Sequence, residues 1–183
     1  MSKLLMVVDY QNDFVTGSLG FDGAAAIDDG IAHLVQSYLA VGDHVLFTYD
    51  THDDTYLDTR EGRALPIAHC NPKNDGWQLY GKTQELCCET CANSQIHIVQ
   101  KHTFGMPPAE ATRLGQLLPD LSDITVVGLV TNMCVIANAI LAQAQWPETP
   151  ITIDASLCRS FDPVMHEKAL DVLESLQMNV INR

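Results

Sequence analysis

A β-branched run, a glycine and an alanine-rich stretch follow one another between Ile124 and Ile140, and no other stretch constrains the fold as strongly. The run Ile124–Val127 is typical of a buried strand, which ends at Gly128. The charge-free residues Asn132–Gln145 predict an apolar helix, with Thr131 placed where an N-cap hydroxyl belongs. A buried strand that leads directly into a buried helix is the repeating unit of a parallel α/β sheet.

Similar units recur along the chain. Further strands are predicted at Lys3–Val8, His44–Tyr49, Ile96–Gln100, Ile151–Ile153 and Asn179–Ile181. Helices are predicted at Ala24–Val41, Pro108–Leu118 and Pro163–Gln177. Because parallel strands need helical crossovers, this alternation predicts a three-layer α/β/α fold with a mainly parallel, Rossmann-like six-stranded sheet, in one domain over residues 1–183. Residues 51–94 lack clear periodicity, and so long a connection is usually functional.

Charge and cysteine content exclude several classes of protein. The formal net charge of −13 argues against partners such as nucleic acid and anionic membranes. The apolar run before Asp9 is too short for a signal peptide or a membrane span, so a cytoplasmic location is expected. The six cysteines are therefore interpreted as thiols. The spacing Cys88-x-x-Cys91 has no second pair to complete a structural zinc site, and it lacks a thioredoxin-type context.

Chemically useful residues stand where the predicted strands end. Asp9, Asp50 and Lys101 each close a strand, and the stretch from Gly128 to Cys134 follows another. In open α/β sheets, ligands bind beyond the carboxyl ends of the strands. We therefore expect these residues to meet in one site.

Cys134 is a candidate nucleophile. If Thr131 caps the helix, the thiol lies in the first turn, where free N–H groups and the helix dipole favour a thiolate with a lowered pKa. The same N–H groups suit an oxyanion. Asp9 is the candidate base and Lys101 a cation between them. The alternatives are a core cysteine, a capping carboxylate and a surface lysine.

A second cluster suits a metal ion. Asp50-x-His52, followed by His69, supplies one carboxylate and two imidazoles, which are ligands for zinc, iron or manganese. The alternative is a polar surface loop, since such residues are mostly exposed.

These motifs together resemble the isochorismatase-like cysteine hydrolase family, and most closely its nicotinamidase branch. The matching stretches are Val7–Phe14, Asp50–His52, His69–Cys70, Lys101–Phe104 and Gly128–Val135. The resemblance implies that Asp9, Lys101 and Cys134 form a catalytic triad. It also implies a cis peptide bond before Val130, with the amides of Val130 and Cys134 forming an oxyanion hole.

The resemblance further implies a divalent metal, zinc first with iron or manganese as alternatives, held by Asp50, His52 and His69, with Glu61 as a fourth group. It implies a homo-oligomer and a cysteine-dependent amidohydrolase that converts nicotinamide to nicotinic acid and ammonia through a thioester. Phe14 is expected to pack on the substrate ring. Many nicotinamidases have an aromatic residue where this chain has Leu65 and Pro66, so Trp77 is a candidate replacement, or an anchor for its loop.

Two other readings stay open at this point. A relative on the same fold could hydrolyse another small amide, of the ureido, carbamoyl or biuret type. A non-enzymatic binding domain could also keep the fold, because fold does not fix function.

Overall fold

The sheet of the protein has six parallel strands in a computed structural model that describes residues 1–89 and 93–183, without the side chains of Cys88 and Glu89. The strands are β1 (Ser2–Val8), β2 (His44–Asp50), β3 (Ile96–Lys101), β4 (Leu121–Leu129), β5 (Ile151–Arg159) and β6 (Asn179–Ile181). Their spatial order is β3-β2-β1-β4-β5-β6, and every neighbouring pair is parallel. This is the doubly wound order, in which the chain changes direction between β1 and β4. The predicted fold class is confirmed.

Helices cover both faces of the sheet. They are α1 (Asn12–Val15), α2 (Asp28–Ala40), α3 (Arg60–Ala64), α4 (Gly81–Glu89), α5 (Pro108–Leu117), α6 (Ile136–Gln145) and α7 (Pro163–Ser175). Helices α1, α2 and α4 share one core with the sheet, while α5, α6 and α7 share the other. Strand β1 serves both: Leu4 and Met6 face the second core, and Leu5 faces the first. Side chains that alternate between two buried faces explain why this strand is a continuous apolar run.

Several boundaries differ from the sequence prediction. Strand β4 begins at Leu121, three residues early, because its polar start pairs with β1 through the contact of Lys3 with Asp123. Strand β5 continues to Arg159 alongside the end of β4. The segment without periodicity contains the two short helices α3 and α4. Cys91, the second cysteine of the CxxC spacing, lies outside the described residues.

No helix in the described part of the chain is both long and apolar enough to cross a membrane. The structure holds one chain, so the expected homo-oligomer and the cytoplasmic location stay predictions.

Gly128 of β4 pairs with Val8 of β1, and it has φ of +118°. A Cβ atom there would lie 2.2 Å from the backbone oxygen of Val8, so both its conformation and its surroundings exclude a side chain. We expect Gly128→Ala to lower the free energy of unfolding by about 3 kcal/mol or more, as strain and overpacking combine. Urea unfolding measures this, with the open position Gly23→Ala as a control that has the same sign of φ but no contact within 4 Å. Equal losses in the two variants would contradict the steric argument.

His97 and His44 form a pair at the start of β2 and β3, with His97 Nε2 3.2 Å from His44 Nδ1. Burial, together with the His44 charge, lowers the pKa of His97 to about 4. The unfolded chain therefore binds more protons than the folded chain between pH 6.5 and 4, so stability is full above this range and is lost as pH falls through it. We expect this residue to account for about 1 kcal/mol of the loss between pH 7 and 5. Urea unfolding at both pH values should show a smaller pH dependence in His97→Asn.

Candidate active site

Three buried side chains from three different strand ends meet beside the point where the sheet changes direction. Asp9 follows β1, Lys101 ends β3, and Cys134 lies in the turn after β4. The Lys101 ammonium lies 2.7 Å from Asp9 Oδ2 and 3.6 Å from Cys134 Sγ. It also lies 3.2 Å from Asp50 Oδ1, at the end of the neighbouring strand β2. The ammonium is therefore enclosed by two carboxylates and a thiol, with no exposed surface of its own.

The electrostatics of this cluster differ from the sequence expectation in one respect. Burial raises the pKa of the Cys134 thiol well above its usual range, which outweighs the attraction of Lys101. The thiol was expected to have a lowered pKa, but burial away from solvent disfavours the charged thiolate and so favours the neutral thiol. Burial also raises the pKa of Asp9, although Lys101 opposes this. The resting thiol thus needs a nearby base, and the Asp9 carboxylate lies beside it, in contact with the same Lys101 ammonium.

Two residues that sequence reasoning missed hold the carboxylates in place. The Thr48 hydroxyl donates to Asp9 Oδ1 at 2.7 Å. The Gln11 side chain forms two hydrogen bonds with the backbone of Asp50. Its amide oxygen accepts from the Asp50 N–H at 2.8 Å, and its amide nitrogen donates to the Asp50 carbonyl at 3.0 Å. Thr48 pairs with Val8 in the register of β1 and β2, and this register places the Thr48 hydroxyl beside Asp9. The sequence alone does not specify that register.

The turn that carries the thiol spans Thr131–Val135 and has π-helical hydrogen bonding, after which α6 begins. The peptide bond between Leu129 and Val130 is cis, as the family resemblance implied. Thr131 is not the N-cap that the sequence suggested: Val130 takes that position, and no side chain caps the turn. The amides of Met133 and Val135 both donate to the Val130 carbonyl, at 3.0 and 3.2 Å.

The predicted metal ligands converge on one carboxylate oxygen. Asp50 Oδ2 lies 3.1 Å from His52 Nε2 and 3.4 Å from His69 Nε2. Ligand atoms bound about 2.1 Å from one metal ion stand roughly 3.0–3.4 Å apart, so this donor set fits a divalent metal. The other nitrogen of His69 is 2.7 Å from the Ile67 carbonyl, a bond that directs Nε2 inward. The residues Asp50, His52 and His69 are all buried.

The Asp50 carboxylate links the metal cluster to the triad, since one oxygen faces the histidines and the other faces Lys101. Burial opposes its ionisation, but Lys101 and the hydrogen bonds from His52 and His69 hold the pKa of Asp50 far below its usual range. Glu61 lies further out, with Oε1 3.9 Å from His52 Nε2.

A cavity of about 370 Å³ opens directly onto these groups. Its inner end contains Asp50, Glu61, His69, Val130 and Cys134. Its walls are apolar and are formed by Phe14, Leu19, Phe21, Leu65, Phe104, Met133 and Phe161, with Ser18 and Gly20 between them. Among the described residues that line it there is no lysine or arginine. Such a cavity suits a small, uncharged ligand with one polar end.

The two candidate substrate contacts have different positions. Phe14 lines the cavity, and its ring lies edge-on to His69 at a centroid distance of 5.6 Å. Trp77 does not line it: its indole N–H donates to the Thr51 hydroxyl at 2.9 Å, and its ring packs on Tyr49. Trp77 therefore anchors its loop to the end of β2 and does not replace an aromatic wall residue, whereas Leu65 does line the cavity.

Fold and site together define a hydrolase with a buried thiol beside a metal-binding cluster. The chain matches an Isochorismatase domain over residues 3–183, and it belongs to the isochorismatase family. The nicotinamidase PncA structure from Bacillus subtilis superposes with a TM-score of 0.87 at 28% identity, covering 98% of this chain and 99% of that one. With this family and these neighbours, the protein is an amide hydrolase.

Two further relatives extend the comparison. An isochorismatase family protein PncA from Bacillus subtilis, strain 168, is 26% identical over 144 residues, which cover 76% of this chain and 78% of the relative. The pyrazinamidase of Pyrococcus horikoshii, solved in complex with zinc, has a TM-score of 0.81 at 20% identity, and each chain is covered completely. In this chain, Asp50, His52 and His69 form a buried cluster that could hold a divalent metal.

Proposed function

We propose that the chain, as a single hydrolase domain over residues 1–183, converts nicotinamide to nicotinic acid and ammonia through a thioester on Cys134. The observation that carries this proposal is the cavity, which brings the thiol and the metal cluster to one end of an apolar chamber. A planar pyridine ring fits between apolar walls such as Phe14, while its amide reaches Cys134. Similarity to the Bacillus subtilis nicotinamidase supports the same substrate.

In the first step, Asp9 accepts the proton of the Cys134 thiol as sulfur attacks the amide carbon. The raised pKa of Asp9 makes its carboxylate a stronger acceptor for the proton of the neutral thiol. Lys101 stays protonated, since Asp9, Cys134 and Asp50 raise its pKa well above the usual value despite its burial. Its charge stabilises the carboxylate before the step and the thiolate during it.

The negative charge that forms on the amide oxygen is received by the backbone N–H groups of Val130 and Cys134. Fixed donors that point at a developing charge need no reorganisation, and each is worth about 3–4 kcal/mol in comparable sites. Asp9 then returns its proton to the leaving nitrogen, and ammonia departs. A water molecule, deprotonated by Asp9, hydrolyses the thioester and frees the thiol.

Asp50, His52 and His69 would hold the metal, with Glu61 as the fourth group. When bound, the metal supplies a Lewis acid that holds the pyridine nitrogen and orients the amide. Two hydrogen bonds fix these ligand residues in place. His69 is bonded to the Ile67 carbonyl, and the Asp50 backbone is bonded to the Gln11 side chain.

The cavity argues against one competing class of substrate. Carbamoyl amides of amino acids carry a carboxylate, which needs a cationic partner inside a cavity. Lys101 is committed to two carboxylates, and the described side chains that line the cavity include no lysine or arginine. The metal would be the remaining cation, and the proposal assigns it to the pyridine nitrogen. An uncharged aromatic amide is therefore favoured over a carbamoyl acid.

Ammonia release from nicotinamide tests the proposal. The purified protein should release one ammonia for each nicotinic acid formed, and a carbamoyl amino acid should give at least about a hundredfold lower kcat/KM, for want of a partner for its carboxylate. The reverse preference would move the substrate to the carbamoyl class. Turnover of neither compound would refute nicotinamide while leaving the family membership unchanged.

Metal removal should lower activity. We expect a chelator to reduce kcat/KM at least about tenfold, with recovery when zinc, iron or manganese is returned. His69→Gln should lower the metal content of the purified protein, because it removes one of three convergent ligands. His44→Gln is a matched control at the opposite end of β2. Full activity in a sample shown by elemental analysis to be metal-free would remove the metal from the mechanism.

A further inference from the structure

His166 contacts the active-site turn but does not line the cavity. It lies near the start of α7, and its Nδ1 is 2.8 Å from the hydroxyl oxygen of Thr131. Thr131 is fully buried, while the His166 side chain is 15% exposed. Nothing in the triad or in the metal cluster uses this pair.

Thr131 is the first residue of the turn that carries the thiol, and it directly follows Val130. Any shift of Thr131 moves the two amides proposed for the oxyanion hole, one directly before it and one three residues after it. The turn has no side-chain cap of its own, so the bond to α7 is the side-chain contact that fixes its first residue. A displacement of about 1 Å in such a site can cost about a hundredfold in rate.

The protonation state of His166 determines the direction of this hydrogen bond. Its Nε2 faces Glu167, with Oε1 4.0 Å away, which favours the tautomer with hydrogen on Nε2 and an accepting Nδ1. The Thr131 hydroxyl then donates to Nδ1. A protonated imidazole could only donate, so the buried hydroxyl hydrogen would lose its acceptor.

The surroundings of His166 favour the neutral form. Burial lowers the pKa of His166, and the positive charges of Arg159 and Arg183 lower it further, whereas the Glu167 carboxylate raises it. These charged groups come from α7 itself, from the end of β5 and from the C-terminal residue, while the turn Thr131–Val135 contributes none.

We propose that His166 is a positioning residue, whose neutral imidazole accepts a hydrogen bond from Thr131 and thereby fixes the turn that holds Cys134 and its oxyanion donors. The inference rests on the proposed function through the role of Cys134. If this hydrogen bond is lost, we expect kcat to fall, while substrate binding in the apolar cavity changes little.

Substitutions at the two ends of the bond test this role. His166→Leu removes the acceptor, whereas His166→Asn keeps a hydrogen-bonding atom near the position of Nδ1 but does not titrate. We expect His166→Leu to lower kcat about 10–100-fold with KM changed less than about threefold, and His166→Asn to recover most of the loss. Thr131→Val should match His166→Leu, and Thr131→Ser should resemble the wild type. Lys168→Ala, an exposed change on the same helix, is the control.

The pH profile separates positioning from packing. In the wild type, kcat below pH 6.5 should fall more steeply than in His166→Asn, because the variant lacks one of the ionisations. Identical profiles, or a kcat in His166→Leu equal to that of the wild type, would overturn the proposal. So would equal losses in the asparagine and leucine variants, since a packing role does not depend on a hydrogen-bonding atom.

A substrate-free measurement keeps this inference distinct from the proposed function. If the wild type does not hydrolyse nicotinamide, the rate at which iodoacetamide alkylates Cys134, followed by peptide mass spectrometry, decides it. At least a fivefold change in His166→Leu that His166→Asn restores would support the positioning role. Equal alkylation rates in all three proteins would overturn it.

Discussion

Replacing Cys134 by alanine should abolish amide hydrolysis, with kcat reduced about 10⁴-fold or more, because no other group can form the thioester. The side chain is buried in the core between the sheet and α6, so the variant also leaves a small cavity. Losing one sulfur atom from the core should lower the free energy of unfolding by only about 1 kcal/mol. The protein therefore stays folded but inactive.

Ammonia release and urea unfolding check the two parts of this result. Cys158→Ala is a matched control, since Cys158 is a fully buried cysteine on β5 that contributes nothing to the cavity lining. It should keep near wild-type kcat with a similar loss of stability. Cys134→Ala with more than about one hundredth of the wild-type kcat would exclude the thiol as nucleophile.

The convergence of Asp9, Lys101 and Cys134 could be predicted from the sequence, because each residue is tied to the end of a buried strand. In a parallel sheet, strand ends meet on one edge, so Asp9, Lys101 and the turn before Cys134 had to lie near one another. The metal cluster was predictable for a similar reason, as Asp50 ends β2 and His52 follows it. The helix predicted from Pro163 is α7, and the carboxylate of Asp162, just before it, accepts from the amides of Val164 and Met165.

Contacts between distant loops could not be predicted in this way. The bond between Thr131 and His166 joins residues 35 positions apart, and neither strand periodicity nor helix periodicity specifies it. The edge-to-face pair of Phe21 and Phe161 at the cavity likewise joins two loops. Trp77 was assigned two possible roles, and only the packing of its ring on Tyr49 decides between them.

The thiol shows a different limit of sequence reasoning. Position in a first helical turn favours a thiolate, but the free energy of burying a charge depends on the surrounding atoms, which the sequence does not specify. In the fold, the thiol is almost completely buried, and burial raises its pKa despite the nearby Lys101 charge. The catalytic consequence is that a base must take the proton during the attack, and this places the greater demand on Asp9.

Asp9→Asn should therefore lower kcat by about 10³-fold, because it keeps the shape of the side chain but removes the proton acceptor. The variant keeps Lys101 charged through Asp50, 3.2 Å away, so the loss reports on the base and not on the lysine. Asparagine can still accept a hydrogen bond from Thr48, which preserves the position of the side chain. KM should change little, since the carboxylate does not line the cavity wall.

Steady-state ammonia release gives kcat and KM, and alkylation of Cys134 by iodoacetamide gives the reactivity of the thiol without substrate. Both rates should fall in Asp9→Asn, because both need the thiol proton to be removed. Asp28→Asn is the control: Asp28 is also a buried carboxylate, but it accepts from the amides of Lys82 and Thr83 at the start of α4. A kcat in Asp9→Asn within about tenfold of the wild type would exclude Asp9 as the group that takes the proton.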